Sequence, residues 1–425
     1  MQKKNNNLTE KIPQGFLDDL TFISKKIESI GHECYVVGGG VRDLILGKTP
    51  KEFDLTTSAR PEEVKSLFSK VIETGIKHGT VTVLLKGGSY EITTFRKDID
   101  YVDGRRPEKI EFGVSLSEDL KRRDFTMNAI ALNVLSNEFV DEHDGLADIS
   151  NRIIRTIGDS VSRFSEDGLR PVRAIRFVST LAFSIEDETY KAIRETRHVT
   201  KKVSVERFHD ELNKILTSDD PFSGVYELFK NDIFSLFLNR EVEIPENIEN
   251  IKKINFLDIE PFFLRLFFLF DFLKTEPLPE LDLKKLKYSN ENTKGAIFYF
   301  LLRENCPNLK NYNEIEIRKF LSFVRKHYPR EKMQFLLNAF FSFLKIEYTT
   351  EDVINFRESI QGILKTNPPL VLSDLKVDGN SIIKKFPEIE KIKIGGILQN
   401  CLNRVLEEPN LNTVEGLEKI ILLEL

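Results

Sequence analysis

The strongest constraint on this chain is a change of pattern near residue 160. Before it, short apolar, β-branched runs alternate with glycine breaks and short helical periods. Beyond it, helical periods separated by short polar breaks run to the end. CYVVG (34–38) reads as a buried strand broken by GGG, after which VRDLILG opens a helix. EFDLTT (52–57) is strand-like, and Ser58 and Pro61 then open a helix through PEEVKSLF. TVTVLL, the Gly87–Gly88 turn and SYEITTFR read as a hairpin, and the polar, aperiodic KDIDYVDGRRP (97–107) as a mobile loop. The first 30 residues predict an amphipathic helix, with Leu20, Ile23, Ile27 and Ile30 at helical spacing before Gly31. The pattern predicts an α+β chain, a small α/β head followed by a long all-helical part.

Composition narrows the class. Apolar residues at 40% and charged residues at 30% of 425 exclude a largely disordered chain. The richest apolar run, Phe262 to Leu273, falls short of the about 18–20 residues a membrane span needs and carries Arg265 and Asp271. No membrane association is expected. The N-terminus shows no secretory pattern, and Cys34, Cys306 and Cys401 suit neither a disulfide framework nor a zinc site, so a reducing, cytoplasmic setting is expected. The net charge of −5 does not exclude nucleic acid, because a local basic stripe can bind phosphate in a mildly acidic chain. Of 33 phenylalanines, 21 lie beyond residue 215, many at three- and four-residue spacing (Phe335, Phe340, Phe343), which reads as helix-bundle core rather than a stacking platform. The six histidines are scattered, and no His/Asp cluster suggests an appended metal hydrolase.

Four segments carry candidate chemistry. In GGGVRD (38–43), glycines let a phosphate approach the backbone, the helix start offers free N–H groups, and Arg42 adds a fork of donors; a plain strand–helix turn uses the same glycines. In KEFDLTT, Glu52 and Asp54 are two apart, which in a strand puts both carboxylates on one face. Such a pair repels itself unless a cation such as Mg²⁺ sits between, whereas an ordinary E-x-D is a solvated face. Glu91 in SYEITTFR completes this cluster or forms an edge-strand salt bridge. In EDLKRRDFTMNAIAL, Lys121, Arg122 and Arg123 fan around a helix, while Asp124 and Asn128 share a face, which argues for phosphate or ribose contacts over a solvated basic face.

EDGLRPVRAIRF is the most informative. Asp167, Arg170, Arg173 and Arg176 recur every three residues and form one ridge on a helix. An ion-pair row is the plain reading. An Asp beside an Arg also matches one class of base edge: the carboxylate accepts from an exocyclic amine while the guanidinium donates to a ring nitrogen or carbonyl. Cytosine and adenine present an amine beside an acceptor; uracil and guanine put a carbonyl against the carboxylate. The pair therefore selects C and A without a nucleic-acid template.

GGGVRD, KEFDLTTSARPEEV, KHGTV, YEITTFR, RRDFTMNAIAL, DEHDGLAD and EDGLRPVRAIRF, in this order, resemble the class II nucleotidyltransferases, the bacterial-type CCA-adding enzymes and related poly(A) polymerases. The likeness is dense from about residue 30 to 185 and returns weakly in DLKVDGNSII and IGGILQNCLNRVLEE. It implies an N-terminal helix (1–30), a nucleotidyltransferase head (31–150), a helical neck with the nucleotide-selecting and RNA-binding segment (151–235), and a helical, tRNA-binding body and tail (236–425). It implies that Glu52 and Asp54 hold catalytic Mg²⁺ near Glu91. It places Gly39, Arg42 and Arg123 on the triphosphate and sugar, with Asp124 and Asn128 in the same nucleotide site. Asp167 and Arg170 would read the base, and Arg173 and Arg176 would steady that template. The loop before RRD would aid the switch from adding C to adding A, and Asp141 and Asp144 would lie in a head–neck hinge. One position departs: the first metal acid of the family is usually Asp, and this chain has Glu52, one methylene longer.

The expected activity is template-independent addition of CCA to tRNA from CTP and ATP with release of pyrophosphate. Three alternatives stand beside it. A poly(A) polymerase is one, though TGIKHGTV is a CCA-type stretch where those enzymes carry a basic-aromatic segment, which lowers that reading; an A-adding partner of a split system fits the same motifs; and Glu52 prompts a non-catalytic RNA-binding homologue. The sequence does not give the oligomeric state.

Overall fold

The computed structural model describes residues 8–101, 107–244, 248–257, 261–273 and 279–423. These form two compact units, one up to Ile244 and one from Pro245 on.

The first unit is built on a seven-stranded sheet ordered β3-β4-β5-β2-β1-β8-β9. Its strands are β1 (Cys34–Val37), β2 (Asp54–Thr57), β3 (Val71–Gly75), β4 (Thr80–Leu85), β5 (Gly88–Thr94), β8 (Ile130–Leu132) and β9 (Phe139–Asp141). Only β2 and β5 run parallel; every other neighbouring pair is antiparallel. The buried side chains of Val36, Leu55, Val81, Val83, Ile92 and Ala131 form its apolar interior. The predicted β4–β5 hairpin is present, with Leu85 opposite Gly88.

Helix α1 (Gln14–Glu28) buries Leu20, Ile23 and Ile27 and follows a single 3₁₀ turn, Thr9–Lys11. The expected 30-residue helix is therefore shorter, Pro13 fixing its start, and residues 1–7 of that expectation lie outside the described residues. The segment read as a mobile loop is also different. Its flanks are two paired strands, β6 (Arg96–Tyr101) and β7 (Pro107–Phe112), and residues 102–106 lie outside the described residues. Alternation hidden by charged residues (Lys97, Asp98) is what made this hairpin look aperiodic.

Helices α2 (Gly39–Ile45), α3 (Pro61–Leu67), α4 (Leu116–Lys121) and α5 (Gly145–Asn151) complete the head, with Asp141 accepting from the Gly145 and Leu146 amides at 2.8 and 2.9 Å to cap α5. Next come α6 (Ser160–Glu166), α7 (Arg170–Leu181), α8 (Asp187–Glu195), α9 (Arg197–Thr200), α10 (Val205–Leu216), α11 (Pro221–Lys230) and α12 (Ile233–Leu238). One short ladder interrupts this helical run: β10 (Ile153–Ile154) pairs in parallel with β11 (Ser184–Ile185).

The second unit is all-helical among the described residues. A 3₁₀ segment, Ile248–Phe256, precedes α13 (Phe262–Phe272), α14 (Glu280–Lys285), α15 (Asn290–Glu304), α16 (Glu314–His327), α17 (Arg330–Glu347), α18 (Thr350–Lys365), α19 (Gly379–Lys385), α20 (Ile394–Glu407) and α21 (Val414–Leu422). Its core is aromatic, as the phenylalanine spacing predicts: Phe267 meets Phe300 and Phe343 edge-on with centroids 4.7 and 4.9 Å apart. Phe340 and Phe343 are buried, but Phe335 is 51% exposed and does not belong to that core. No helix among the described residues is long and apolar enough to cross a membrane.

Candidate active site

The site begins at the glycine turn. Gly38 adopts φ +75°, a left-handed conformation that favours glycine, and joins β1 directly to α2. A Cβ placed there would lie 3.7 Å from both Asp54 Oδ2 and Arg123 Nη1, so the turn sits against the first acid of β2 and a guanidinium. At Gly40 the approach is closer still: a Cβ would be 2.8 Å from the Phe53 ring and 3.1 Å from the Glu52 carbonyl oxygen.

Parallel register places Asp54 directly beside Glu91. Glu52 stands two residues before Asp54 but outside the strand, since β2 begins at Asp54. The strand therefore starts two residues later than expected, while Glu52 and Asp54 are both exposed on either side of buried Phe53. Phe53 between them is buried against Gly40, and the packing of its ring sets the chain path there. The carboxylates still gather. Packing around Asp54 strips part of its hydration, and the charges of Glu91 and Glu52 add to this, pushing its carboxyl up to about 6 against the opposing pull of Arg123. Neither Glu52 nor Glu91 has an ion-pair partner among the described residues, so the edge-strand salt bridge considered for Glu91 is absent, and β5 is an interior strand.

Arg42 is held in place. Its Nε and Nη2 donate to Asp43 Oδ1 at 3.0 and 2.8 Å and its Nη1 to Asn128 Oδ1 at 2.8 Å, and the guanidinium curls back to 3.4 Å from where a Gly39 Cβ would be. Asp124 and Asn128 do meet, Asn128 Nδ2 donating to Asp124 Oδ1 at 3.2 Å, but through a 3₁₀ turn (Thr126–Asn128) rather than a helix face. Likewise Arg122 and Arg123 follow α4 instead of fanning around it. Both turn onto Asp119, which is 0% exposed and also accepts from Thr56 Oγ1 of β2 at 3.1 Å and from the Arg96 amide at 3.3 Å. Burial works against its charge, but Arg122 and Arg123 hold its carboxyl below the usual range.

Beyond the head residues, α7 carries Arg170, Arg173 and Arg176. Asp167 is not on that helix; it lies in the break after α6, as the residue capping its C-terminus. The four-residue ridge is therefore three arginines with the acid just upstream. Asp167 is gripped in a bidentate pair by Arg207 of α10, Nη1 to Oδ1 at 3.0 Å and Nη2 to Oδ2 at 2.8 Å, and accepts from the Leu169 amide at 3.0 Å. Arg170 pairs with Glu166 and donates to the carbonyls of Arg163 and Arg122 at 2.8 and 3.1 Å. Arg173 Nε and Nη2 approach Asp124 Oδ2 at 2.8 and 2.7 Å, tying α7 to the RRD segment. Asp124 is desolvated, which raises its carboxyl, yet Arg173 and Arg170 overcome this and hold it down to about 2. Arg176 pairs with Glu211 of α10 at 2.7 Å; burial pulls its guanidinium down to about 10.

Phe177, 3% exposed, is the shared floor of this cluster: the guanidinium carbons of Arg176, Arg42 and Arg173 lie 3.9, 5.2 and 5.8 Å from its ring centre. Phe177, Asp119, Glu166 and Glu211 were not singled out in the sequence, and Arg207, within the basic stretch 194–207 expected to touch backbone phosphate, instead grips Asp167. For Asp119 and Glu166 the signal was there, an acid three or four residues before an arginine. For Arg207, 40 residues from its partner, no local signal exists.

The acids fit a divalent cation. Burial, with the two neighbouring carboxylates of Glu91 and Glu52, raises the affinity of Asp54 for a proton, and a cation there would relieve the same repulsion. Among the described residues no group of three or more His, Cys, Asp or Glu side chains is placed to hold a metal ion by itself, so Glu52, Asp54 and Glu91 do not form a ready-made cage.

Residues 34–155 match the family described as the poly A polymerase head domain, and residues 182–254 that described as the probable RNA and SrmB-binding site of polymerase A. Among curated proteins, the chain is 44% identical over 245 residues to the CCA-adding enzyme of Ligilactobacillus salivarius, covering 57% of this chain and 60% of that one. It is 50% identical over 206 residues to the CCA-adding enzyme of Lactobacillus helveticus, covering 48% and 51%. The chain thus spans about half to three-fifths of the length of these relatives. The Bacillus stearothermophilus CCA-adding enzyme solved in complex with CTP superposes with a TM-score of 0.78 at 27% identity, covering 97% of this chain and 98% of that one. The chain is thus similar to CCA-adding enzymes and, over residues 34–155, to the poly A polymerase head domain, proteins of the nucleotidyltransferase family. Members of this family use divalent metal ions.

Proposed function

We propose that this protein adds CCA to the 3′ end of tRNA, using CTP and ATP without a template. The observation that carries the reading is the juxtaposition at Gly38, where a phosphate-type turn meets Asp54 and Arg123 in one head, followed by an arginine-rich helix with Asp167 at its start.

In this reading Glu52 and Asp54 hold Mg²⁺, with Glu91 beside them. When bound, the ion lowers the pKa of the attacking 3′-hydroxyl and neutralises charge on the leaving pyrophosphate. The free amides of the Gly39 turn, Arg42 and Arg123 hold the triphosphate and sugar, with Asn128 and Asp124 bracing Arg42 and Arg173. The 3′-oxygen attacks the α-phosphorus, the bond to the bridging oxygen breaks, and pyrophosphate leaves. Asp167 accepts from the exocyclic amine of cytosine or adenine and Arg170 donates to the neighbouring acceptor. A carboxylate fixed by Arg207 cannot turn away to accommodate the carbonyl of uracil or guanine. Arg173 and Arg176 keep α7 in register against Asp124 and Glu211. Three free cysteines suit a reducing, cytoplasmic setting.

The test is incubation with tRNA lacking its 3′ end, Mg²⁺ and each nucleotide separately and together. CTP alone should add two residues, and ATP should extend only after them. ATP extending a CC end with no use of CTP would assign an A-adding enzyme, long A tails on unrelated RNA a poly(A) polymerase, and no incorporation a non-catalytic homologue.

A further inference from the structure

The second unit holds a cavity of about 720 Å³ between the 3₁₀ segment Ile248–Phe256 and helices α17 and α18. Its rim is cationic: Lys253, Lys345 and Arg357 line it, and among the described residues no carboxylate does. Lys253 is partly committed, reaching the Ile346 carbonyl at 3.5 Å and facing Glu347. Lys345 and Arg357 are exposed and have no ion pair among the described residues. The walls are aromatic: Phe341 is 3% exposed with the Arg357 guanidinium 5.9 Å above its ring centre, whereas Phe256 is 73% exposed. A large ring left in solvent beside two uncompensated cations, in a chain whose net charge is −5, is a local departure that core packing does not explain.

We propose that this cavity binds one unstacked nucleotide of the RNA substrate, its base on the Phe256 face and its phosphodiester between Lys345 and Arg357. Charge complementarity selects a polyanion, and an exposed aromatic face distinguishes RNA from a simple anion, because a phosphate gains nothing from a phenyl ring while a base stacks on it. Asn338, also on the rim, offers an amide to a base edge. The inference rests on the proposed tRNA-extending activity for the identity of the RNA, though not for the existence of the site.

The experiment measures equilibrium binding of the full chain to a tRNA transcript lacking CCA, and to heparin, across a salt series, with nucleotide incorporation read separately. Phe256→Ala is expected to weaken tRNA binding by roughly 5- to 100-fold and leave heparin binding unchanged. Lys345→Gln with Arg357→Gln is expected to lower the slope of log affinity against log salt by roughly 1.5. In turnover, both should raise KM for tRNA and leave kcat and the KM for CTP unchanged. All three side chains are exposed, so the fold tolerates these changes. Unchanged tRNA affinity and salt slope in both variants would overturn the proposal. So would a loss confined to the charge variant and equal for heparin and tRNA, which would reduce the cavity to general anion attraction. Absence of incorporation by the unaltered protein would overturn the activity alone, since the binding arm reads independently of it.

Discussion

Asp124→Asn tests the joint between the head and α7. Asp124 is nearly buried, and its carboxylate takes two contacts from Arg173, one hydrogen bond from Asn128 and one from the Phe125 amide. It is held at about 2 against an ordinary 3.8. At about 1.4 kcal/mol per pH unit, that gap corresponds to roughly 2–3 kcal/mol of stability from the charged form. Because the folded value is the depressed one, this contribution is complete above about pH 5, where the unfolded chain is also ionised. It is lost as pH falls through the window between the two values, with roughly half remaining near pH 3 and little near pH 2. Asparagine keeps the shape and the Asn128 contact but removes the charge facing Arg173. Urea unfolding followed by circular dichroism should show the variant about 2–3 kcal/mol less stable at pH 7, with the gap roughly halved at pH 3. A gap below about 0.5 kcal/mol at pH 7, or one of equal size at both pH values, would refute the reasoning.

Three further outcomes follow from the same geometry. Gly40→Ala should destabilise the head by about 1–3 kcal/mol and lower kcat, because a Cβ 2.8 Å from Phe53 must displace the segment carrying Glu52; thermal unfolding and single-turnover incorporation check both effects. Phe177→Leu removes the ring beneath three guanidiniums and should cost about 1–2 kcal/mol while raising the KM for both nucleotides more than it lowers kcat. Asp167→Ala should admit UTP and GTP, measured as misincorporation relative to CTP and ATP, with less effect on triphosphate affinity; uniform loss with intact C/A choice would count against base reading by this residue.

The sequence made the head legible because its signals are local. Alternation, a two-residue turn and a strand–glycine–helix run sufficed for β1, β4, β5 and α2, and the acid gathering followed from the order of EFD and YEI. What stayed hidden depended on packing at a distance. Phe53 sinks into the core against Gly40 across the strand–helix turn, a long-range contact that no short window records. A helical reading put Asp124 beside Asn128, and a 3₁₀ turn does so in fact. The even three-residue spacing from Asp167 to Arg176 concealed a helix break, because Pro171 near the start of α7 marks a new first turn. Which arginine grips Asp167 depends on α10 folding back onto α7, which no short window records. Phe335 shares the spacing of its buried neighbours but faces out, since a helical stripe fixes which residues align and not how wide the covered face is.

The proposed reaction requires the acids around Asp54 and the carboxylate at Asp167 to act on one nucleotide. A crystal of the protein with CTP and Mn²⁺, read by anomalous scattering, tests this most directly. The expected result is a peak about 2.0–2.3 Å from oxygens of both Glu52 and Asp54, with the cytosine amine within hydrogen-bond distance of Asp167. An ion bound elsewhere, or a cytosine remote from Asp167, would contradict it.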